Sequence, residues 1–117
     1  MQLTVENLDA GVRCLHLSGR LDLKGTQEVD AQFAAEVGAK KVSVLVDFSK
    51  VDYIASVGIR LLLSNAKALA PSGAKLIILQ PQKMVEEVLR MAGLDEILAI
   101  EHDLTAARAL LAGSTNT

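Results

Sequence analysis

Hydrophobic and polar side chains alternate along residues 3–6 and 12–18, with a break at Asp9-Ala10-Gly11. Alternation with a period of two is typical of strands buried on one face, and the break is typical of a turn. This part of the chain therefore predicts a β-hairpin. Two later runs are almost wholly apolar, which indicates central strands. These runs cover residues 42–46 and 76–79, and a short last strand is predicted at 98–100.

Between these strands, apolar residues recur every three or four positions, which predicts helices. The first follows Thr26 as its N-cap and ends at Gly38, the second and third cover 56–70 and 82–92, and the fourth follows Asp103 as its cap. The order is ββαβαβαβα. Alternating strands and helices give a largely parallel sheet with right-handed crossovers.

The fold class predicted from this order is a single α/β domain over residues 1–112. Its sheet is mixed, mostly parallel and four- to five-stranded after the initial β-hairpin, with about four helices. Residues 113–117 are small and polar, which predicts a flexible C-terminal tail.

Composition narrows the classes of protein that fit this fold. Half of the residues are hydrophobic and 22% are charged, so a packed core is expected, and with 3% aromatics it must be built from aliphatic side chains. The 12 Lys and Arg are scattered and the net charge is −2, which argues against a nucleic-acid-binding surface. The lone Cys14, the absence of a signal peptide and the absence of a long apolar run predict a cytoplasmic protein without membrane insertion.

The helix predicted at 56–70 carries the clearest candidate for a binding surface. Its core-facing arc is predicted to contain Leu62 and Leu69, together with Ile59, Leu63, Ala66 and Ala70. Val57, Leu61 and Ala68 fall roughly opposite this arc and are predicted to face solvent. An exposed apolar strip of this kind, beside Arg60 and Ser64, is either a docking surface or an ordinary scatter of exposed apolar residues.

Ser56 is predicted to be the N-cap of this helix, with its hydroxyl accepting a hydrogen bond from the amide of residue 58 or 59. A serine there is also accessible to a kinase, and a phosphate would add about −1.5 to −2 charges at an interface rather than in the core. Gly58 has two explanations: weak helix propensity in a first turn, or close backbone approach to a neighbouring loop or to a partner.

Several segments together resemble the STAS family, the sulfate transporter and anti-sigma factor antagonist domains. The likeness rests on the initial hairpin and on segments that are spread over most of the chain. These are Gly19-Arg20-Leu21-Asp22, Val44-Leu45-Val46-Asp47-Phe48-Ser49 with Val51, Tyr53-Ile54-Ala55-Ser56-Val57-Gly58, Gly73-Ala74-Lys75-Leu76, and residues 85–100 with Gly93-Leu94.

The resemblance implies a function. Antagonist members open this helix with Asp-Ser-Ser/Thr-Gly, and an anti-sigma factor that is also a serine kinase phosphorylates the first serine. Ser56 and Gly58 match this motif, whereas Ala55 and Val57 replace its aspartate and second hydroxyl. Asp22 matches an acidic residue that contacts the partner in the family.

The resemblance therefore implies a non-enzymatic protein-binding module, switched at Ser56, whose partner is an anti-sigma factor with kinase activity. The alternative is a non-phosphorylated STAS scaffold or a subunit of a larger complex, and a homodimer stays open. The expected partner-binding residues are Asp22, Ala55, Ser56, Val57, Gly58, Arg60, Leu61 and Ser64.

No cofactor or metal is expected, because the motifs that bind them are missing. Cys14 and His16 share a strand face but lack further ligands, so a core Cys and a packed His are expected. Asp47 ends a buried strand, as in a response-regulator receiver, but the acidic pair that would hold Mg²⁺ is missing. Asp47 and Asp52 are instead predicted to be loop residues that accept backbone amides. An enzyme with an unrecognised site is the third hypothesis.

Overall fold

The predicted order of elements is confirmed by a computed structural model, which describes residues 1–8 and 11–115, with side chains as far as Leu111. The strands are β1 (Gln2–Asn7), β2 (Arg13–Leu21), β3 (Val44–Ile54), β4 (Leu76–Leu79) and β5 (Ala99–Glu101). The helices are α1 (Leu23–Glu36), α2 (Ser56–Leu69), α3 (Lys83–Met91) and α4 (Leu104–Thr115), and 3₁₀ turns lie at Ala70–Ser72 and Leu94–Glu96.

The five strands form one sheet in the order β1-β2-β3-β4-β5. β1 pairs antiparallel with β2, and all other pairs are parallel. The sheet is therefore mixed and mostly parallel, as predicted. Residues 113–115 of the predicted tail belong to α4, and residues 116–117 lie outside the described residues, so a flexible tail stays a prediction for those last two residues. None of the helices in the described ranges combines the length and apolar character needed to cross a bilayer.

Helices cover both faces of the sheet, which explains why β3 and β4 are so apolar. α1, α2 and α3 pack on one face, where Phe33 and Phe48 are the largest fully buried side chains. α4 packs on the other face through Ala107 and Leu111, against a smaller cluster that includes the buried Cys14. The core is mainly aliphatic, as expected, but both phenylalanines of the chain are also buried in it. The expected core cysteine is confirmed.

β3 is longer than the sequence pattern indicated. It begins at Val44 and continues to Ile54, so the prediction that Asp47 and Asp52 lie in a loop is wrong. The pairing of β2 with β3 shifts register between His16 and Ser18 and again between Gly19 and Arg20. Such irregularities break the alternation of apolar and polar residues along a strand. The continuation of β3 is therefore not visible in the hydrophobic pattern of the sequence. The extension carries the end of β3 beside the end of β2.

The buried face of α2 differs from the predicted arc. Leu61 is only 5% exposed and belongs to the core, so the prediction that it faces solvent is wrong. At 100° per residue the buried face is rotated by roughly 80° from the predicted one. Asn65 explains the error, because it occupies the centre of the buried face and a polar residue there conceals the apolar stripe. The buried residues are Gly58, Leu61, Leu62, Asn65 and Leu69.

Asn65 is tolerated in the core because its side chain is fully engaged. Its Oδ1 accepts from the amide of Gly38 at 3.2 Å and its Nδ2 donates to the carbonyl of Leu61 at 2.8 Å. Buried polar groups cost little when they are paired in this way. The contact joins α2 to the segment just after α1 and so fixes how the two helices lie together.

Candidate functional site

The candidate site forms where the adjacent strands β2 and β3 end. Leu21 and Ile54, the last residues of these strands, are paired in the sheet, and the amide of Ala55 donates to the carbonyl of Leu21 at 2.9 Å. Asp22 and Ala55 then serve as the N-caps of α1 and α2. Because both strands are parallel, both helix starts lie at the same edge of the sheet.

Ser56 is the first residue of α2 and is exposed. The prediction that it is the N-cap is wrong by one position: Ala55 is the N-cap, with extended backbone angles and no side-chain hydrogen bond. Among the described residues, the Ser56 hydroxyl makes no hydrogen bond. A group attached to this oxygen would therefore displace no existing contact.

Gly58 is buried against the end of β2. A Cβ at this position would lie 2.9 Å from Ile54 Cγ1, 3.0 Å from Leu21 Cβ and 3.1 Å from the Leu21 carbonyl oxygen. These distances are shorter than ordinary carbon contacts. Of the two explanations for this glycine, the structure favours close approach, and the neighbour is the domain's own chain.

Asp22, not the predicted Thr26, caps α1. Its Oδ1 accepts from the amide of Gly25 at 2.8 Å, and its Oδ2 lies 3.5 Å from Arg20 Nε. The Gly25 amide, and then Arg20, lower the pKa of Asp22, so this carboxylate is ionised at neutral pH. Arg20 also stacks over the Tyr53 ring, 4.2 Å from its centroid. The Asp22 side chain is 39% exposed, so it is accessible at the same edge of the sheet as Ser56.

The other predicted partner-binding residues line a groove of about 480 Å³ between α1 and α2. Arg60 and Ser64 are exposed on its rim, Val57 is half-buried, and Leu61 is in the floor. Sequence reasoning missed two lining residues of α2 and the whole side of the groove that α1 supplies, since nothing in the chain's local pattern says which helices pack together. The residues missed are Leu23, Thr26, Gln27, Asp30, Leu63 and Lys67.

A second polar cluster lies on the opposite face of the sheet. His16 is hydrogen-bonded through Nε2 to Glu6 and through Nδ1 to Asp47, each at 2.7 Å. Glu6 and then Asp47 raise the pKa of His16, although partial burial opposes them. Burial acts to raise the pKa of Asp47, but the Ser49 amide and His16 together lower it.

This cluster offers no metal site or activated thiol within the described ranges. No group of three or more His, Cys, Asp or Glu there is arranged to hold a metal ion. Burial, and then the carboxylates of Asp47 and Glu6, raise the pKa of the Cys14 thiol to about 11. A thiol that stays protonated at neutral pH is a poor nucleophile.

The family model for the STAS domain matches residues 5–107 of the chain. The chain belongs to the STAS domain family. A relative from Bordetella bronchiseptica, named BtrV and described provisionally as an anti-sigma factor antagonist, is 29% identical over 109 residues, which cover 93% of each chain.

Two solved structures show the same fold. The anti-sigma factor antagonist from Mycobacterium paratuberculosis superposes with a TM-score of 0.83 at 21% identity, over 94% of this chain and 92% of the other. The Bacillus cell fate determinant SpoIIAA in its phosphorylated form superposes with a TM-score of 0.68 at 17% identity, over 93% of this chain and 99% of the other. The STAS domain described here thus has the fold of anti-sigma factor antagonists.

Proposed function

We propose that this STAS domain is an anti-sigma factor antagonist that binds an anti-sigma factor with serine kinase activity and is released from it by phosphorylation of Ser56. The observation that carries the proposal is the position of the Ser56 hydroxyl: exposed, without a hydrogen bond, and at the first residue of a helix that borders a surface groove. The proposal makes the domain a cytoplasmic regulator of transcription that acts by protein binding and not by catalysis.

Electrostatics supports a switch that leaves the fold intact. A phosphate on Ser56 would add about −1.5 to −2 charges. The start of α2 favours negative charge through its free amides and dipole, and no acidic residue in its first turn competes. The charge would therefore act on whatever protein covers this surface, and the domain's own packing would not change.

The named relatives support the same assignment. BtrV is described as an antagonist of this class, and SpoIIAA has been solved in both unphosphorylated and phosphorylated forms. By this proposal the partner contacts the exposed Asp22 carboxylate, the start of α2 around Ser56, and the rim residues Arg60 and Ser64. Val57 contributes apolar surface to the contact, Leu61 lies beneath it in the core, and Gly58 packs the start of α2 against the end of β2.

A constitutive STAS scaffold is the second candidate, and one observation favours it. Ala55 and Val57 replace two residues of the motif that the kinase recognises in the family, and Ala55 gives α2 no side-chain cap. A scaffold would bind its partner without regard to the charge at Ser56.

Phosphorylation tests the site assignment. The purified domain is incubated with an anti-sigma-type serine kinase and ATP, and the product is mapped by mass spectrometry. We expect one phosphate on Ser56, none in Ser56→Ala, and unchanged labelling in Thr105→Ala, an exposed hydroxyl residue in the first turn of α4, away from the proposed contact. Equal labelling of the Ser56→Ala protein would refute the site.

Binding separates the two candidates. Affinity for the same kinase is measured with Ser56→Asp and with Ser56→Asn, which has nearly the same shape without the charge. A switch predicts that only the aspartate variant loses binding. If both variants bind like the wild type, the scaffold is the correct assignment.

A further inference from the structure

The groove between α1 and α2 has an apolar floor that begins next to Ser56. Val57 follows Ser56 in α2, and Leu23, at the start of α1, is 60% exposed on the other side. Leu61 lies deeper, where it is 5% exposed and part of the core. An occupant can therefore cover apolar surface at the end of the groove that is close to Ser56.

The α2 rim of the groove carries unused positive charge, and the acidic residue among the lining side chains, Asp30, lies across from it on α1. Arg60 and Lys67 both line it and are exposed, and neither makes an ion pair with the described residues. Arg13, Arg20 and Arg90 are paired with carboxylates, whereas exposed lysines outside the groove, such as Lys50 and Lys83, have no such partner in the described part of the chain. The feature that sets Arg60 and Lys67 apart is therefore their position on the groove. The two cations are seven residues apart, which is about 10 Å along a helix. Their spacing fits two acidic side chains that lie two turns apart on an opposing helix.

Arg60 also stands four residues after Ser56 on the same helix. Side chains at this spacing are neighbours, and an anion placed before a cation is the favourable order. A phosphate on Ser56 would therefore have an unpaired guanidinium within reach, and phosphate and guanidinium form strong, two-pronged hydrogen bonds.

We infer that this groove binds an amphipathic acidic helix of the partner protein, and that a phosphate on Ser56 releases it by taking Arg60 away from the partner's carboxylate. The inference rests on the proposed function. It adds the chemistry of the partner's segment and names Arg60 as the residue that responds to the phosphate. Apolar side chains of the segment cover Leu23 and Val57, while its carboxylates face Arg60 and Lys67.

The first test needs neither partner nor kinase, because phosphoserine is incorporated at position 56 during translation. The phosphate pKa is measured by ³¹P NMR titration in this protein and in its Arg60→Gln variant. Pairing predicts a pKa about 0.3 lower when Arg60 is present. Equal values in the two proteins would overturn the role of Arg60.

The second test identifies what the groove prefers. Random helical peptides displayed on phage are selected on the unphosphorylated domain, and their contacts are mapped by NMR. We expect selected peptides to combine apolar residues at helical spacing with Asp or Glu, and to shift the amides of Leu23 and Val57. Selection of no peptide, or of peptides without acidic residues, would overturn the inference.

Charge reversal supplies the matched comparison. The double variant Arg60→Glu, Lys67→Glu is expected to bind the selected peptides with an affinity at least about tenfold lower. Lys50→Glu with Lys83→Glu makes the same change in net charge at exposed positions outside the groove and is expected to leave affinity within about twofold. Equal loss in both double variants would mean a non-specific charge effect and would overturn the inference.

The remaining outcomes keep the inference separate from the proposed function. Phosphoserine at position 56 is expected to lower the affinity of the domain for the selected peptides. In the Arg60→Gln variant this loss of affinity is expected to be smaller. If phosphoserine at position 56 releases the peptides but the kinase does not phosphorylate Ser56, the inference stands and the proposed switch is refuted. Sedimentation tests whether a second copy of the domain is the occupant instead. A dimer of the unphosphorylated domain that is lost in the Arg60→Glu, Lys67→Glu variant would show this and overturn the inference.

Discussion

Replacement of Gly58 by alanine isolates the contact that holds the start of α2 against the end of β2. The new Cβ would lie 2.9 Å from Ile54 Cγ1 and 3.0 Å from Leu21 Cβ, with the Leu21 carbonyl oxygen at 3.1 Å. Carbon atoms pack best about 3.5–4.0 Å apart. Because both neighbours are themselves buried, neither can move aside without disturbing the core.

Two opposing effects set the size of the change. Alanine gains up to about 1 kcal/mol over glycine in a helix interior, and we take about half of this for a first-turn position. Overpacking a filled core costs about 1–3 kcal/mol, of which we take about 2. The net loss is then about 1.5 kcal/mol. With about 2.1 cal/mol/K of unfolding entropy per residue, a chain of 117 residues should lose about 6 °C in Tm.

Thermal and urea unfolding of Gly58→Ala measure this loss. The pair Lys67→Ala and Lys67→Gly, at an exposed position of the same helix, calibrates the propensity difference without the contact. A Gly58→Ala protein as stable as the wild type, or more stable, would show that the close approach is relieved at no cost. If that protein also lost partner binding, the glycine would serve the partner and not the fold.

Three further changes test the packing and charge network. Thr26→Val removes a buried hydroxyl that has no hydrogen-bond partner in the described part of the chain, so the free energy of unfolding should rise by about 1 kcal/mol in urea titrations; a fall would show a missed partner. Asn65→Ala leaves the buried Gly38 amide without its acceptor and should cost about 2 kcal/mol by the same measurement, and a neutral result would contradict the pairing. The folded-state pKa of His16 lies above its ordinary value of 6.5, so its stabilisation is complete below pH 6.5 and is lost as the pH rises through that folded-state pKa. The stability advantage of wild type over His16→Gln should shrink from pH 6 to pH 9, and a constant difference would refute the ion contacts.

The strands and helices that carry the candidate site could be predicted from the sequence, because they depend on local patterns. Apolar runs identified the central strands, and helical spacing located α2 within one residue of its start at Ser56. Asp103 was identified as the cap of α4, and it accepts from the amides of Thr105 and Ala106. These features are set by residues within a few positions of one another, so a single sequence contains the information.

Tertiary structure decided the rest, because the deciding partners are distant along the chain. Asn65 faces the core, where it pairs with Gly38, 27 residues away, and Leu61 is buried on the same face of α2. The continuation of β3 past Asp47 depends on irregular pairing with β2, which no period reveals. The groove exists only where α1 meets α2. The sequence by itself determined which elements form and that Ser56 begins a helix; packing between distant segments determined what surface that serine borders.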